Sequence, residues 1–289
     1  MNDLDPMPPE RPLPEYLAEV RETAAIRRGV PLPLGTRAFL DGVNFALFSR
    51  HARRVRLELF ANSHDETASR SIDLDPVRNR TGDVWHIWIQ GLVPGQLYAY
   101  RVDGPYEPEA GHRYNFNRLL LDPRATAITH LPRWDFDAAR GYDAMLGDGW
   151  LSYCDNAAAM PKCVFTRIHF DWKDDRPPRH PWSKTVIYET HVRGLTIHPS
   201  SGVPDRGTYR GLVEKIPHLK ELGVTAVELL PVQEFNTHEL KTRDPRTGTL
   251  LKNYWGYNPV AFTAVNGAYS STGASGQQTL EFKEMVRLL

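Results

Sequence analysis

The sequence is 289 residues long, enough for one large domain or two ordinary ones, and its 41% hydrophobic and 24% charged content is that of a soluble globular protein. Lysine plus arginine and aspartate plus glutamate both number 35, so the formal net charge is zero and no chain-wide basic field exists to attract nucleic acid or an anionic membrane. No apolar run approaches the ~20 residues of a membrane span, and the proline-rich start from Met1 to Pro14 is not a basic-then-apolar signal peptide; a cytoplasmic location is expected.

Residues 1–33 read as a tail, with a short helix over Tyr16 to Ile26 among several prolines. From Gly35 the hydrophobic period becomes two. Val43, Phe45 and Leu47 alternate with Asn44 and Ala46, and Val55, Leu57 and Leu59 alternate with Arg54, Arg56 and Glu58. Val84 to Ile89 and Leu97 to Val102 repeat the habit across the turn Gly91-Leu92-Val93-Pro94-Gly95. Short half-buried strands with Gly/Pro punctuation predict an antiparallel β-sandwich over residues 34–130. Residues 131–184 show little periodicity and are expected to form an ordered linker, anchored by Phe170-Asp171-Trp172 and Pro181-Trp182. Of the two cysteines, Cys154 and Cys163, both are expected as free thiols. With no CxxC and no HExxH, no metal site or other cofactor declares itself, and Asn79-Arg80-Thr81 is a chance match to a glycosylation sequon.

The last segment, residues 185–289, opens as strand, helix, strand. Val186 to Val192 is a β-branched and aromatic run. Tyr209, Leu212, Val213, Ile216, Leu219 and Leu222 fall at helical spacing, with Pro217 predicting a kink or two short pieces and Gly223 a C-cap. Ala226 to Leu230 is a second buried strand, stopped by Pro231. Two such strands joined by a helix are expected to be parallel, the opening of an α/β barrel or of an open parallel sheet. A polar excursion to Leu251 reads as an insertion loop; then come the aromatic run Tyr254-Trp255-Gly256-Tyr257 and a final helix with Leu280, Phe282, Met285, Val286 and Leu289 on one side.

Three stretches carry a family resemblance. Val186-Ile187-Tyr188-Glu189-Thr190-His191-Val192-Arg193-Gly194-Leu195-Thr196, Gly223-Val224-Thr225-Ala226-Val227-Glu228-Leu229-Leu230-Pro231 and Tyr254-Trp255-Gly256-Tyr257-Asn258-Pro259 resemble the α-amylase superfamily, and within it the glycogen debranching enzymes of isoamylase type. Gly42-Val43-Asn44-Phe45-Ala46-Leu47-Phe48-Ser49 is similar to the start of the carbohydrate-binding sandwich that precedes the barrel there. Phe116 and Arg124 depart from the family's wording, which commonly has proline and tyrosine at those places. The resemblance implies a sandwich of Ig-like, carbohydrate-binding type, then the truncated start of a (β/α)₈ barrel. It implies hydrolysis of α-1,6 branch linkages of glycogen or limit dextrins by a retaining two-carboxylate mechanism, without a cofactor. It also implies that the catalytic carboxylates, carried by the fourth, fifth and seventh strands, are not reached by Leu289, so the chain alone is expected to be inactive. A branching enzyme, a trehalose-releasing hydrolase and a non-catalytic glucan-binding protein are the alternatives.

Read from position alone, Glu189, Glu228 and Glu234 are candidate acid–base residues, since glycoside hydrolysis needs two carboxylates; the resemblance assigns them no catalytic role. It makes Tyr257 an aromatic platform under a sugar, which suits the apolar C–H face of a pyranose. Trp255 is a second candidate substrate-binding residue, as wall or as packing. His191 reads as a hydrogen-bonded structural histidine. In the sandwich Trp85, Trp88, Tyr98 and Tyr106 are the aromatics available for stacking on glucan.

Overall fold

The computed structural model describes residues 25–39, 41–129, 136–143, 145–166 and 169–289. The helix expected at Tyr16 to Ile26 lies outside them except for its last two residues. The described chain divides into two compact units, the first reaching residue 166 and the second starting at residue 169.

In the first unit the four period-two runs become β3 (Gly42–Phe48), β4 (Arg54–Phe60), β7 (Val84–Gln90) and β8 (Leu97–Asp103); β1 (Ile26–Arg27), where the end of a helix was expected, β2 (Gly35–Phe39), β5 (Arg70–Asp73) and β6 (Arg80–Thr81) join them. The short strands β9 (Tyr106–Glu107), β10 (His112–Arg113), β11 (Tyr142–Asp143), β12 (Gly147–Leu151) and β13 (Cys163–Val164) follow. One antiparallel sheet runs β1-β7-β3-β2, with β6 also on β7; the other runs β13-β8-β4-β5. Register pairs Phe45 with Ile87 and Leu59 with Tyr98. The alternating apolar side chains thereby share one face of each sheet, and Phe45 meets Tyr98 edge-on at 5.2 Å. Burial of this set is the main driving force for the unit.

The outer faces are covered too, where half-burial was expected. On the first sheet Asn44 accepts from Val30 N at 2.8 Å and donates to Val30 O at 2.9 Å, while His86 Nδ1 lies 2.9 Å from Arg28 O. Gly29 has φ +76°, and a Cβ there would meet the Ile87 backbone at 2.7 Å. Residues 28–30, which follow the edge strand β1, are therefore a covering layer rather than a free tail. The second sheet is covered by residues 155–162, which lead into its edge strand β13. Buried Arg101 donates to Glu58 Oε1 at 2.9 Å, to Asn117 O at 3.0 Å and to both oxygens of Asp155. Lys162 is fully buried, stands over the Phe60 ring and donates to the carbonyls of Ala157 and Met160. Burial pulls its pKa down to about 8. The stretch expected as linker thus joins the sandwich as far as residue 166. The reason is polar satisfaction: Asp155 completes the bonding of a guanidinium that burial would otherwise penalise.

The second unit holds β14 (Ile187–Thr190) and β15 (Ala226–Leu229), which pair in parallel with Glu189 opposite Glu228. Between them the helical run breaks into Tyr209–Val213 and Ile216–Glu221. Pro217 sits in the first turn of the second piece, where its missing N–H costs nothing. Gly223, at φ +75°, closes that piece. The supposed polar excursion begins as a strand, β16 (Gln233–Phe235), antiparallel to β17 (Pro259–Val265); Glu234 and Phe235 are buried, so polarity misled the reading. The final helix, Gln277–Leu288, packs Met285 with Val192, Tyr209, Leu212, Phe235 and Tyr269. The β14–β15 sheet has two strands, and Val186 and Ile187 are each 49% exposed. Among the described residues no helix is long and apolar enough to cross a membrane.

Residues 171–184 are exposed throughout, Trp182 at 81%, so Trp182 is not the anchor expected of it. Limited proteolysis should cut between Asp171 and Lys184 and leave a resistant fragment carrying β1 to β13. The rest should be lost faster, because a two-stranded parallel sheet leaves its edges unpaired. A single protease-resistant species of full length, seen by gel and mass spectrometry, would contradict this.

Candidate functional site

At the carboxyl end of β14 the chain turns at His191, whose backbone is extended and whose side chain caps the helix Val192–Thr196. Nδ1 accepts from the amides of Arg193 at 3.0 Å and Gly194 at 3.1 Å. A nitrogen that accepts carries no proton, so Nε2 is the protonated one. It donates to Tyr254 O at 2.8 Å, with the Tyr269 hydroxyl 3.1 Å away. The ring lies flat on Tyr254, centroids 4.1 Å apart and planes 11° apart, and meets Tyr269 edge-on. Burial and the nearby Arg193 charge hold the imidazole pKa below its ordinary value, against the Tyr254 carbonyl. Both ring nitrogens are used within the protein, which makes His191 a structural pin at the strand end.

Tyr254 also requires Gly194. A Cβ at that position would lie 2.3 Å from the Tyr254 hydroxyl. Gly256, at φ +76°, sits against the Phe235 ring, where a Cβ would come within 2.7 Å. The two glycines let the aromatic loop close over the strand end and press it against the core. Reading the sequence singled out neither Tyr254 nor Gly194 as site residues; the glycine three positions after the histidine cap was the available signal.

These residues wall an open cleft of about 840 Å³, lined by Tyr188, Glu189, Thr190, His191, Gly194, Leu195, Leu230, Tyr254, Trp255 and Tyr257. It lies at the carboxyl ends of the parallel strands, the customary place for ligands in parallel α/β structures. Trp255 is 56% exposed and Tyr257 69%. Neither is core packing, and Glu189, Thr190 and Tyr188 are the polar residues beside them in the lining. An apolar face bordered by a few polar groups suits a polyhydroxylated ring with an apolar side.

The three glutamates separate. Glu189 is exposed in the cleft. Glu228, opposite it in register and also exposed, is not part of the lining. Glu234 is buried outside the cleft, where its Oε2 accepts from Gly267 N at 2.9 Å. Burial pushes its pKa up to about 8. No pair of described carboxylates therefore lines the cleft. Among the described residues no group of three or more His, Cys, Asp or Glu side chains could hold a metal ion. In the sandwich Trp85, Trp88 and Tyr98 are buried, and the Tyr106 hydroxyl donates to Asp148 O at 2.9 Å. The first three cannot stack on a surface ligand.

Residues 33–125 match the family described as carbohydrate-binding module 48 (isoamylase N-terminal domain). Among solved structures, a Paenibacillus barengoltzii pullulanase in complex with maltohexaose and α-cyclodextrin has a TM-score of 0.63 at 21% identity, over 96% of this chain and 38% of that one. The type I pullulanase of Bacillus subtilis, complexed with maltose, gives 0.58 at 24%, over 89% and 31%. The catalytic module of the glycogen-degrading pneumococcal virulence factor SpuA gives 0.61 at 20%, over 90% and 36%. At these identities the likeness is one of fold, and the chain spans 31–38% of the length of these structures.

A carboxyl at about 8 when folded and near 4.5 when unfolded binds more protons in the native state between those values. The stability linked to Glu234 is thus full at acid pH and is lost as pH rises toward 8. Glu234→Gln should flatten this part of the profile: thermal melts at pH 5 and pH 8 should differ less in the variant than in the unaltered chain. An unchanged difference would show that Glu234 is ionised in the native state.

Proposed function

We propose that this chain is the amino-terminal portion of an α-amylase-superfamily glycoside hydrolase of debranching, isoamylase type. In this reading the first unit is its carbohydrate-binding sandwich and the second the beginning of a (β/α)₈ barrel. The whole enzyme would hydrolyse α-1,6 linkages of glycogen or limit dextrins in the cytoplasm. The match of residues 33–125 to a carbohydrate-binding module and the fold likeness to pullulanases support it. The observation that carries it is the cleft at the strand ends, where Trp255 and Tyr257 stand exposed on a loop braced from behind.

Within these residues the site binds and orients. Tyr257 offers a flat face for a glucose ring and Trp255 a second; Glu189 and Thr190 are placed to accept and exchange hydrogen bonds with sugar hydroxyls. Bond cleavage needs an acid and a nucleophile on either side of the glycosidic oxygen. With Glu189 as the one carboxylate among the residues lining the cleft, that pair is incomplete. Paenibacillus barengoltzii pullulanase structures similar to this chain hold maltotriose, maltohexaose and maltotetraose, the same class of linear α-glucan proposed here.

Isothermal titration with maltohexaose should show binding, and a reducing-sugar assay on limit dextrin should show no turnover. Covering roughly 60 Å² of ring face at about 25 cal/mol per Å² is worth about 1.5 kcal/mol, so Tyr257→Ala should weaken binding about tenfold. Binding that survives Tyr257→Ala unchanged in a folded variant would return Tyr257 to a packing role. Turnover that vanishes in Glu189→Gln would make Glu189 catalytic after all.

A further inference from the structure

The aromatic loop is tied at its two ends by one carboxylate. Glu239 lies on the segment that reads in sequence as an insertion, is half-buried, and does not line the cleft. Its Oε1 accepts from Asn253 Nδ2, the residue immediately before Tyr254, and its Oε2 accepts from Asn258 Nδ2 at 2.7 Å, the residue immediately after Tyr257. Asn253 passes the constraint inward, since its Oδ1 accepts from Gly256 N at 3.1 Å and its own N–H donates to Thr237 O at 2.9 Å.

We infer that Glu239 is the positioning residue of the glucan-binding loop: it clamps Asn253 to Asn258 and so fixes the angle at which Trp255 and Tyr257 face the cleft. This rests on the glucan reading above and extends it to a residue that touches no ligand. The geometry argues for the carboxylate specifically. Asn253 and Asn258 each donate an N–H to a different oxygen of Glu239, so both terminal atoms must accept; a carboxylate does this, whereas an amide would place an N–H₂ group at one of the two positions. Charge-assisted bonds are also the stronger kind. The Trp255 and Tyr257 rings are more than half exposed, so packing alone does not hold them. Their orientation must come from the backbone of a loop only four residues long between its tied ends. The polar stretch after β16 is on this account the brace of the site, which explains why it is long and hydrophilic yet folded back onto the loop.

The test separates the clamp from the ligand. Hydrogen exchange at the amides of residues 254–257, measured without sugar, reports the loop alone; maltohexaose titration reports its consequence. In Glu239→Ala the loop amides should exchange about ten times faster, and maltohexaose should bind about tenfold more weakly, with the melting temperature within a few degrees of the unaltered chain. Glu239→Gln should show an intermediate effect, because one asparagine then faces an N–H₂ group. The double variant Glu239→Gln with Asn258→Asp exchanges donor and acceptor in the outer bond at constant net charge, and should restore both readouts. Unchanged exchange or unchanged affinity in a folded Glu239→Ala overturns the assignment, as does failure of the exchange-of-roles variant to recover. If the unaltered chain binds no maltohexaose, the glucan role falls with it, and the exchange arm still decides whether Glu239 is the clamp.

Discussion

The candidate site depends on one imidazole held neutral in a single tautomer. His191 sits where β14 ends and the helix Val192–Thr196 begins, and two backbone amides at that helix start need acceptors. Nδ1 supplies one lone pair for both. That choice forces the proton onto Nε2, and the proton then reaches the carbonyl of Tyr254, 63 positions further along the chain. A local capping requirement is thereby converted into a long-range tie. The aromatic loop is drawn onto the strand end, Tyr254 lies on the ring, and Trp255 and Tyr257 are left facing outward. Protonating the imidazole would give Nδ1 a hydrogen aimed at two N–H donors, which is why burial and geometry favour the neutral form together.

The two units solve the covering of a sheet differently. The sandwich closes itself: its alternating side chains meet between the sheets, and residues 28–30 and 155–162 lie over the outer faces. Those outer layers are held by polar side chains that would be costly if left unpaired: Asn44, His86, Arg101 and Lys162. The second unit has a two-stranded parallel sheet with exposed aliphatic side chains at Val186 and Ile187. Its core lies instead among Tyr209, Leu212, Phe235, Tyr269 and Met285, beneath the strand ends that carry the cleft.

What was legible in the sequence followed from short-range rules. Alternation located the sandwich strands, helical spacing located the crossover helix, Pro217 marked its break and Gly223 its end. The exposure of Tyr257 was legible from the glycine and proline beside it. Long-range polar pairing was not. Nothing local in Asp155 says that it completes the shell of Arg101, and nothing in Asn44 says that it holds Val30; those partners are far apart in the chain, so a covering segment reads as a linker or a tail. The strand at Gln233–Phe235 was missed for a related reason. Glu234 reads in sequence as a candidate acid–base residue after the second strand, and only the buried amide of Gly267 accounts for its place inside. Glu239 looked like one more polar residue in a loop for want of the same information.

The most direct test of this account is the side-chain ¹⁵N spectrum of His191 as a function of pH. The account requires the neutral ring with its proton on Nε2, and a protonation midpoint below the ordinary imidazole value, with the Nε2–H protected from exchange by Tyr254. A ring that carries its proton on Nδ1, or that becomes imidazolium at or above the ordinary value while the protein stays folded, would contradict it.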